Sequence, residues 1–240
     1  MASPVAQFEL KTLIPIEVGG VDLSFTNSAA WMVLAIVGVT AFLTLSMSGR
    51  RLVPGRWQLM AELSYEFIAN MVKDNVGSEG RKYFPFVFSL FMFILACNLF
   101  GMLPYSYTPT SQIIVTFAMA FVVFIGVTII ALARHGLHFF TFFFPSGAPV
   151  YMAPLLIPIE VISYFVRPVS LSVRLFANMM AGHTMLKVFG GFVIALGVFG
   201  VAPLALIVAL TAFEILVAVL QAYVFTILTC LYLHDAIHLH

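Results

Sequence analysis

Charged residues are scarce in this chain. Of its 240 residues, only 9% are Asp, Glu, Lys or Arg, whereas 62% are hydrophobic. A soluble globular domain carries roughly 25% charged residues, so the composition excludes an ordinary soluble protein and indicates an integral membrane protein. The formal net charge is +1 and no basic stripe is present, which excludes a nucleic-acid partner that binds through its phosphates.

Cysteine is rare as well, with two residues in the chain. Cys97 and Cys230 each lie in an apolar run without a metal-like spacing to a neighbour, and we expect both to be small core residues. The N-terminal segment lacks a basic region followed by an apolar core, so a cleaved signal peptide is not expected. Residues 1–28 are instead predicted to be a tail on the outer side of the membrane.

Long apolar stretches make up most of the remaining sequence. A helix needs about 20 apolar residues to cross the hydrocarbon core of a bilayer. We therefore predict an all-α integral membrane protein with a single transmembrane domain, residues 29–240, and about five transmembrane helices. The predicted spans are about 29–48, 83–103, 112–133, 158–189 and 203–232.

Three further segments do not have the pattern of a clean span. Between residues 56 and 76, apolar residues recur every four positions while two glutamates share another face, which predicts an amphipathic helix in the interface or against a partner. Residues 136–157 contain three prolines and two glycines, so an interfacial or re-entrant segment is expected there. The glycine-rich residues 190–200 are predicted to join the last two helices.

The distribution of lysine and arginine predicts the orientation. The link 49–82 holds six of the 11 basic residues, whereas the turns 104–111 and 190–202 hold none. By the positive-inside rule, that link is cytoplasmic and the N-terminus lies outside. Five crossings would then place the C-terminus on the cytoplasmic side.

The last two predicted spans differ from the others because they carry ionisable residues far from their ends. Arg174 and Glu214 lie in mid-span, and His183 follows Arg174 by nine residues. Ionisable groups at membrane depth are costly and by default mark an ion pathway or a protein-facing surface. Arg167 and Lys187 lie nearer the span ends, where we expect their side chains to extend toward an interface.

An antiparallel pairing of these two helices brings the polar residues to matching depths. In such a hairpin, residues at equal depth have residue numbers with a nearly constant total. One register then sets His183 level with Glu214 on the outer side and Arg174 level with Gln221 in the middle. His183 lies about half a turn around the helix from Arg174, so the two side chains are expected on different faces.

The same register predicts an acidic group on the opposite side of the membrane. It sets Glu160 near Asp235 and His234, toward the cytoplasm. The outer histidine–glutamate pair can exchange protons at physiological pH, and Glu160 offers a second acceptor. These residues predict two offset half-pathways for protons that are separated by a fixed positive charge.

Arg174 has no counter-charge at its own depth in this register. Glu160 is fourteen residues away and Glu214 lies a helical turn or two higher. An unpaired arginine in hydrocarbon costs several kcal/mol or more, so we expect its carboxylate partner to come from another chain. Ser170, Arg174 and Asn178 share one helical face, and that face would carry the contact.

Two sequence blocks in the last two spans resemble a known family. They are RPVSLSVRLFANMMAGH (167–183) and FEILVAVLQAYVFTILTCLYL (213–233), and they closely resemble subunit a of the F-type ATP synthase membrane sector. The resemblance covers most of the chain from about residue 25 onward. It implies that Arg174 is the stator arginine facing the carboxylates of a ring of c subunits, with Asn178 and Gln221 at polar positions beside it.

The same resemblance implies two half-channels. His183 and Glu214 match the pair that lines the outer half-channel, and Glu160 matches the acidic residue of the inner one. In many bacterial relatives the carboxylate comes first and the histidine second, whereas here they are swapped, as in mitochondrial and related bacterial sequences. The long helix 158–189 matches a steeply tilted hairpin that lies against the ring.

The function implied by the resemblance is to convert proton flow into rotation. The chain would be a non-nucleotide-binding component of a proton-transporting ATP synthase and no enzyme by itself. The implied partners are the c ring, b-type subunits of a peripheral stalk, the remaining ATP synthase subunits and lipid. No cofactor and no metal is required, and the expected location is a bacterial cell inner membrane.

Other interpretations of the same residues remain open. A free-standing cation channel or secondary transporter would have to satisfy Arg174 within one chain or a homo-oligomer. A purely structural anchor would not need ionisable groups at mid-membrane. The C-terminal His234, His238 and His240 have some metal-ligand character, although a solvated chain end is the simpler interpretation. The sequence leaves open whether the coupled ion is H⁺ or Na⁺.

We predict that cysteines introduced at positions 170, 174 and 178 crosslink to a second polypeptide in native membranes, because this face lacks an internal counter-charge. Immunoblotting of the crosslinked products measures this. The parent chain, which retains Cys97 and Cys230, is the control. Adducts with a second copy of this chain or with lipid alone would favour the transporter interpretation.

Overall fold

Six long helices account for most of the structure. The computed structural model describes residues 6–18, 21–22, 24–49, 53–103, 106–143 and 152–238. The helices within these residues are α1 (Asn27–Met47), α2 (Arg56–Val76), α3 (Phe84–Gly101), α4 (Ile113–His135), α5 (Ala153–Leu196) and α6 (Val201–Ile237).

Within the described residues, four stretches are long and apolar enough to cross a membrane, which confirms the all-α membrane class. The last stretch contains both α5 and α6. The four are Asn27–Met47, Ser78–Gly101, Ile113–His135 and Ala153–Ile237.

The tail before α1 contains short strands that the sequence did not predict. Antiparallel pairs join β1 (Thr12–Ile14) to β4 (Phe25–Thr26) and β2 (Glu17–Val18) to β3 (Val21–Asp22). The tail ends where the Thr26 hydroxyl accepts a hydrogen bond from the backbone N–H of Ala29. This N-cap satisfies one of the free donors at the start of α1.

The predicted amphipathic helix is confirmed as α2, with the predicted bounds. Its buried side includes Ile68, Val72 and Val76, which join the main hydrophobic core, whereas Leu63, about 140° around the helix from Ile68, is exposed. One face of α2 is therefore fixed by packing against the other helices.

The structure corrects the prediction for the segments around α5. The predicted link 190–200 is mostly helical, because α5 continues to Leu196 and the turn is confined to Gly197–Gly200. Gly197 has φ +55°, a positive backbone angle that glycine adopts far more readily than other residues. Continuation is favourable because a helix satisfies its own backbone hydrogen bonds in lipid.

The predicted re-entrant segment 136–157 is only partly described. Gly136–Phe143 forms 3₁₀-helix, and residues 144–151 lie outside the described residues. The last residues of the segment are instead the first turn of α5, which begins at Ala153. Pro154 is compatible with this start because proline is tolerated in the first turn of a helix.

Helix α6 is the centre of the packing and contacts α2, α3, α4 and α5. Ala218 and Ala222 are fully buried along it, and Ala236 nearly so. Small residues let neighbouring helices approach closely in membranes. Phe225 fills space between them as one of the largest fully buried side chains.

The two ends of the α3–α4 pair are held by polar contacts. At one end, Arg134 forms an ion pair with Glu79, just before α3. At the other end, the Gln112 side-chain amide donates to the carbonyl of Phe8 at 2.8 Å, and the Tyr107 hydroxyl lies 3.4 Å from the same oxygen. Burial raises the pKa of the Tyr107 phenol, which therefore keeps its proton and acts as a donor.

We predict that Asn98→Leu destabilises the protein by about 1–3 kcal/mol, because it leaves buried hydrogen-bonding groups without a partner. The fully buried Asn98 amide donates to the Ala218 carbonyl at 3.1 Å and accepts from the Thr110 hydroxyl at 2.7 Å, so it links α3 to α6. The thermal unfolding midpoint of the purified protein in detergent measures the effect.

Asn75→Leu is the matched control, since the Asn75 amide donates only within its own helix, to the Met71 carbonyl. Equal losses of thermal stability in the two variants would contradict a linking role for Asn98.

Candidate functional site

The contact between His183 and Glu214 is the centre of a buried polar cluster. Nδ1 of His183 on α5 forms an ion-pair contact with Oε1 of Glu214 on α6. The two side chains are only 13% and 5% exposed. At this level, the register predicted from the sequence is confirmed.

Gly182 allows the Glu214 carboxylate to lie against α5. A Cβ atom at position 182 would stand 2.6 Å from Oε1 of Glu214, a distance at which one of the two groups must move. The other carboxylate oxygen, Oε2, is buried and has no hydrogen-bond partner among the described residues. One oxygen therefore meets the histidine while the other remains available to a proton.

The turn between α3 and α4 contacts the other nitrogen of His183. Nε2 lies 2.9 Å from the Thr108 hydroxyl oxygen and 3.0 Å from the Gly101 carbonyl oxygen. Thr108 is buried. The histidine ring is therefore held between α6 on one side and the end of α3 on the other.

The sequence interpretation missed this second side of the cluster. Asn98 and Thr110 continue it toward Ala218, one turn along α6 from Glu214. An asparagine inside an otherwise apolar span, and the threonines of the PYSYTPT turn (104–110), were the signals that could have indicated polar groups at this depth.

Arg174 lies on an open face of α5. Its side chain is exposed, and no carboxylate among the residues that the structure describes forms an ion pair with it. Ser170 on the same face is exposed and Asn178 is half-buried. Gln221 on α6 is also half-buried. Neither Gln221 nor Asn178 makes a side-chain hydrogen bond to another described residue. Their predicted proximity to the arginine remains a prediction.

The structure corrects the prediction for the other arginine of α5. Arg167 does not simply extend to an interface, because its Nη1 lies 3.2 Å from Oδ2 of Asp235. Its guanidinium also lies 5.5 Å from the Tyr164 ring centre and 5.1 Å from that of Tyr232. The cation is therefore held by a carboxylate and two aromatic faces.

The predicted neighbourhood of Glu160 and Asp235 remains a prediction, although Asp235 has a second partner that the sequence did not indicate. Asp235 pairs with Arg167, two turns further along α5, and half-buried Glu160 forms no ion pair with any described residue. Pro168, inside α5 beside Arg167, removes one backbone hydrogen bond and permits a local change of direction.

No metal centre is formed by the described residues. They contain no group of three or more His, Cys, Asp or Glu side chains placed to hold a metal. The rings of His234 and His238 lie 4.7 Å apart, and His240 is outside the described residues. Cys97 and Cys230 are buried free thiols, as predicted.

Comparison with known proteins gives consistent matches over the whole chain. The family model for the ATP synthase A chain matches residues 29–234. Similar proteins include the ATP synthase subunit a of Paramagnetospirillum magneticum, 62% identical over 247 residues, and that of Rhodospirillum rubrum, 59% identical over 241 residues. Both alignments cover 100% of each chain. The ATP synthase subunit a of Pelagibacter ubique is 55% identical over 99% of this chain and 98% of its own.

We predict that Gly182→Ala lowers the free energy of unfolding by about 1–3 kcal/mol, since the new methyl group overpacks the contact with Glu214. Titration with sodium dodecyl sulfate in mixed micelles measures this free energy. Gly190→Ala is the control on the same helix, because no heavy atom lies within 4 Å of its added Cβ. A Gly182→Ala protein as stable as the control would show that the approach of the two groups is looser than described.

Proposed function

The chain belongs to the ATP synthase A chain family, and on that basis we propose that it is the proton-translocating stator subunit of the membrane sector of an ATP synthase. It is a multi-pass membrane protein whose partners are the other ATP synthase subunits. ATP is made or hydrolysed on those other subunits, and this chain contributes the route for protons. A ring of c subunits and the b-type subunits of the peripheral stalk are the proposed neighbours.

The outer half of the route passes through His183 and Glu214. An imidazole and a carboxylate in contact can exchange a proton near neutral pH. Their burial between α5 and α6 supports this role, because such groups are costly inside a membrane unless they pair or carry an ion. The unpartnered Oε2 of Glu214 is the atom from which a proton would pass to the ring carboxylate.

Arg174 separates the two halves of the route. Arginine keeps its charge in proteins, so it attracts each deprotonated ring carboxylate and repels a proton that would cross directly. The observation that carries this proposal is the contrast between the two arginines of α5. Arg167 has an internal counter-charge in Asp235, whereas exposed Arg174 has none among the described residues.

The inner half of the route would release protons near Glu160. Glu160 is half-buried on the first third of α5 and forms no ion pair with a described residue, so its carboxylate is available to accept a proton. One charge that crosses 100 mV releases about 2.3 kcal/mol. Proton passage from the outer to the inner half supplies this free energy to the rotation of the ring.

We predict that Arg174→Ala abolishes ATP-driven proton pumping without preventing assembly, since it removes the charge that holds the ring carboxylate and blocks the direct route. Acidification of inverted membrane vesicles on addition of ATP measures pumping. The amount of this chain in the purified complex measures assembly. A free-standing transporter would show proton movement that does not depend on ATP or on the other subunits.

Arg81→Ala is the control, because it removes an equal charge from an exposed position outside α5 and α6. Normal coupling in the Arg174→Ala complex would overturn the proposal.

A further inference from the structure

Two groups lie within hydrogen-bond distance of Nε2 of His183, a carbonyl and a hydroxyl. They differ in which protonation state of this nitrogen they can bond to. The Gly101 oxygen, at 3.0 Å, belongs to a backbone carbonyl and can only accept a hydrogen bond. The Thr108 oxygen, at 2.9 Å, belongs to a hydroxyl that can rotate and either donate or accept. The two groups therefore favour different states of the same ring nitrogen.

When the histidine–glutamate pair holds a mobile proton, Nε2 carries a hydrogen. The ring is then an imidazolium beside a carboxylate, with one N–H directed at Oε1 of Glu214 and the other at the Gly101 carbonyl. Gly101 is the last residue of α3, and the last carbonyls of a helix have no partner within it. The Ser106 hydroxyl, 2.9 Å away, also donates to this oxygen, and a carbonyl has room for both.

When the pair has lost its mobile proton, the ring keeps a single hydrogen. That hydrogen is most stable on Nδ1, because a bare Nδ1 would face the charged Oε1 of Glu214. Nε2 is then a bare acceptor beside the Gly101 carbonyl, and two lone pairs would oppose each other. Of the described groups at Nε2, the Thr108 hydroxyl is the one that can donate a hydrogen in this state.

We propose that the Gly101 carbonyl and the Thr108 hydroxyl form a two-position switch for the proton at Nε2 of His183. In one position Nε2 carries the hydrogen and donates a hydrogen bond to the Gly101 carbonyl. In the other position the Nε2–H bond is broken, the proton has passed to a water molecule on the outer side, and the Thr108 hydroxyl donates a hydrogen bond to the bare Nε2. Thr108 is thus a positioning residue that stabilises the unloaded pair. The inference rests on the proposed function of His183 and Glu214.

Packing supports a dedicated contact at this position. A Cβ atom at residue 101 would overlap the Thr108 side chain, so glycine is needed for the threonine to reach the histidine. The hydroxyl of Thr108 has no other hydrogen-bond partner among the described residues, whereas the neighbouring Thr110 hydroxyl donates to Asn98.

Among the residues that the structure describes, the charged groups that act on His183 come from two elements. Glu214 on α6 is in direct contact, and Lys187 on α5 acts on it through space. From the turn and from α3, the groups at His183 are a neutral hydroxyl and a carbonyl. Replacement of Thr108 therefore changes the hydrogen bonding at Nε2 without changing the charge around the ring.

The test measures ATP-driven proton pumping by the intact complex in inverted vesicles at a series of pH values between about 6 and 9. At each pH, the pumping rate is divided by the rate of ATP hydrolysis measured in the presence of an uncoupler. Thr108→Val removes the donor and so penalises only the unloaded pair, which then keeps its proton to higher pH. We expect the profile to move to higher pH by about half to one unit, the size of one neutral hydrogen bond.

Two further variants distinguish the hydroxyl from the packing. Thr108→Ser keeps a hydroxyl and is expected to restore the parent profile. Thr116→Val makes the same chemical change at a fully buried threonine whose hydroxyl donates hydrogen bonds to the carbonyls of Gln112 and Ile113 at the start of its own helix. Its profile should match the parent. If Thr108→Val fails to assemble, Thr108→Ala removes the hydroxyl without the second branched methyl group.

The switch would be overturned if the pH profile of Thr108→Val or Thr108→Ala coincided with that of the parent. It would also be overturned if the Thr108→Ser profile were displaced as far as that of Thr108→Val. His183→Ala separates this failure from that of the proposed function. If His183→Ala loses pumping while the pH profile of Thr108→Val is unshifted, only the proposed switch is contradicted. Normal pumping in His183→Ala would remove the outer half of the proposed proton route itself.

Discussion

A charge inside hydrocarbon has no water to solvate it, so each ionisable side chain on α5 and α6 needs a partner that protein supplies. Glu214 meets this need through His183, and Arg167 meets it through Asp235 and two tyrosine rings. Arg174 is the arginine of this hairpin for which the described chain supplies no carboxylate. The two satisfied pairs fix how α5 and α6 face each other, and the unsatisfied one marks the side that must meet another protein.

The scaffold around these pairs depends on small residues at the right depth. Alanines along α6 allow four other helices to approach it, and Gly182 allows a carboxylate to lie against α5. At the end of α3, Gly101 leaves room for Thr108 to reach the histidine. The buried polar contacts therefore lie where helix backbones approach each other most closely. Glycine and alanine positions determine where the ionisable side chains can meet.

Much of this arrangement could be predicted from the sequence, because lipid imposes strong and simple constraints. The bounds of α2 followed from its periodicity, and the contact of His183 with Glu214 followed from an antiparallel register. The same register did not indicate the ion pair of Arg167 with Asp235, because a long arginine side chain reaches a carboxylate that is not at the depth of its own backbone. Thr108 and Gly101 were not predicted because their approach to His183 depends on how the α3–α4 turn folds back, and no local pattern encodes that contact.

The short turn between α5 and α6 has a mechanical consequence. Only Gly197–Gly200 separates two continuous helices, so the hairpin has little loop in which to absorb a displacement. About a quarter turn around α5 from Arg174, the side chains of Leu171, Leu175 and Met179 form a stripe that is almost completely buried. A sideways force applied at the exposed guanidinium is therefore transmitted through a close-packed interior of low compressibility. Around Arg174 the hairpin is therefore held by this packing, as an element that must remain still while its neighbour moves requires.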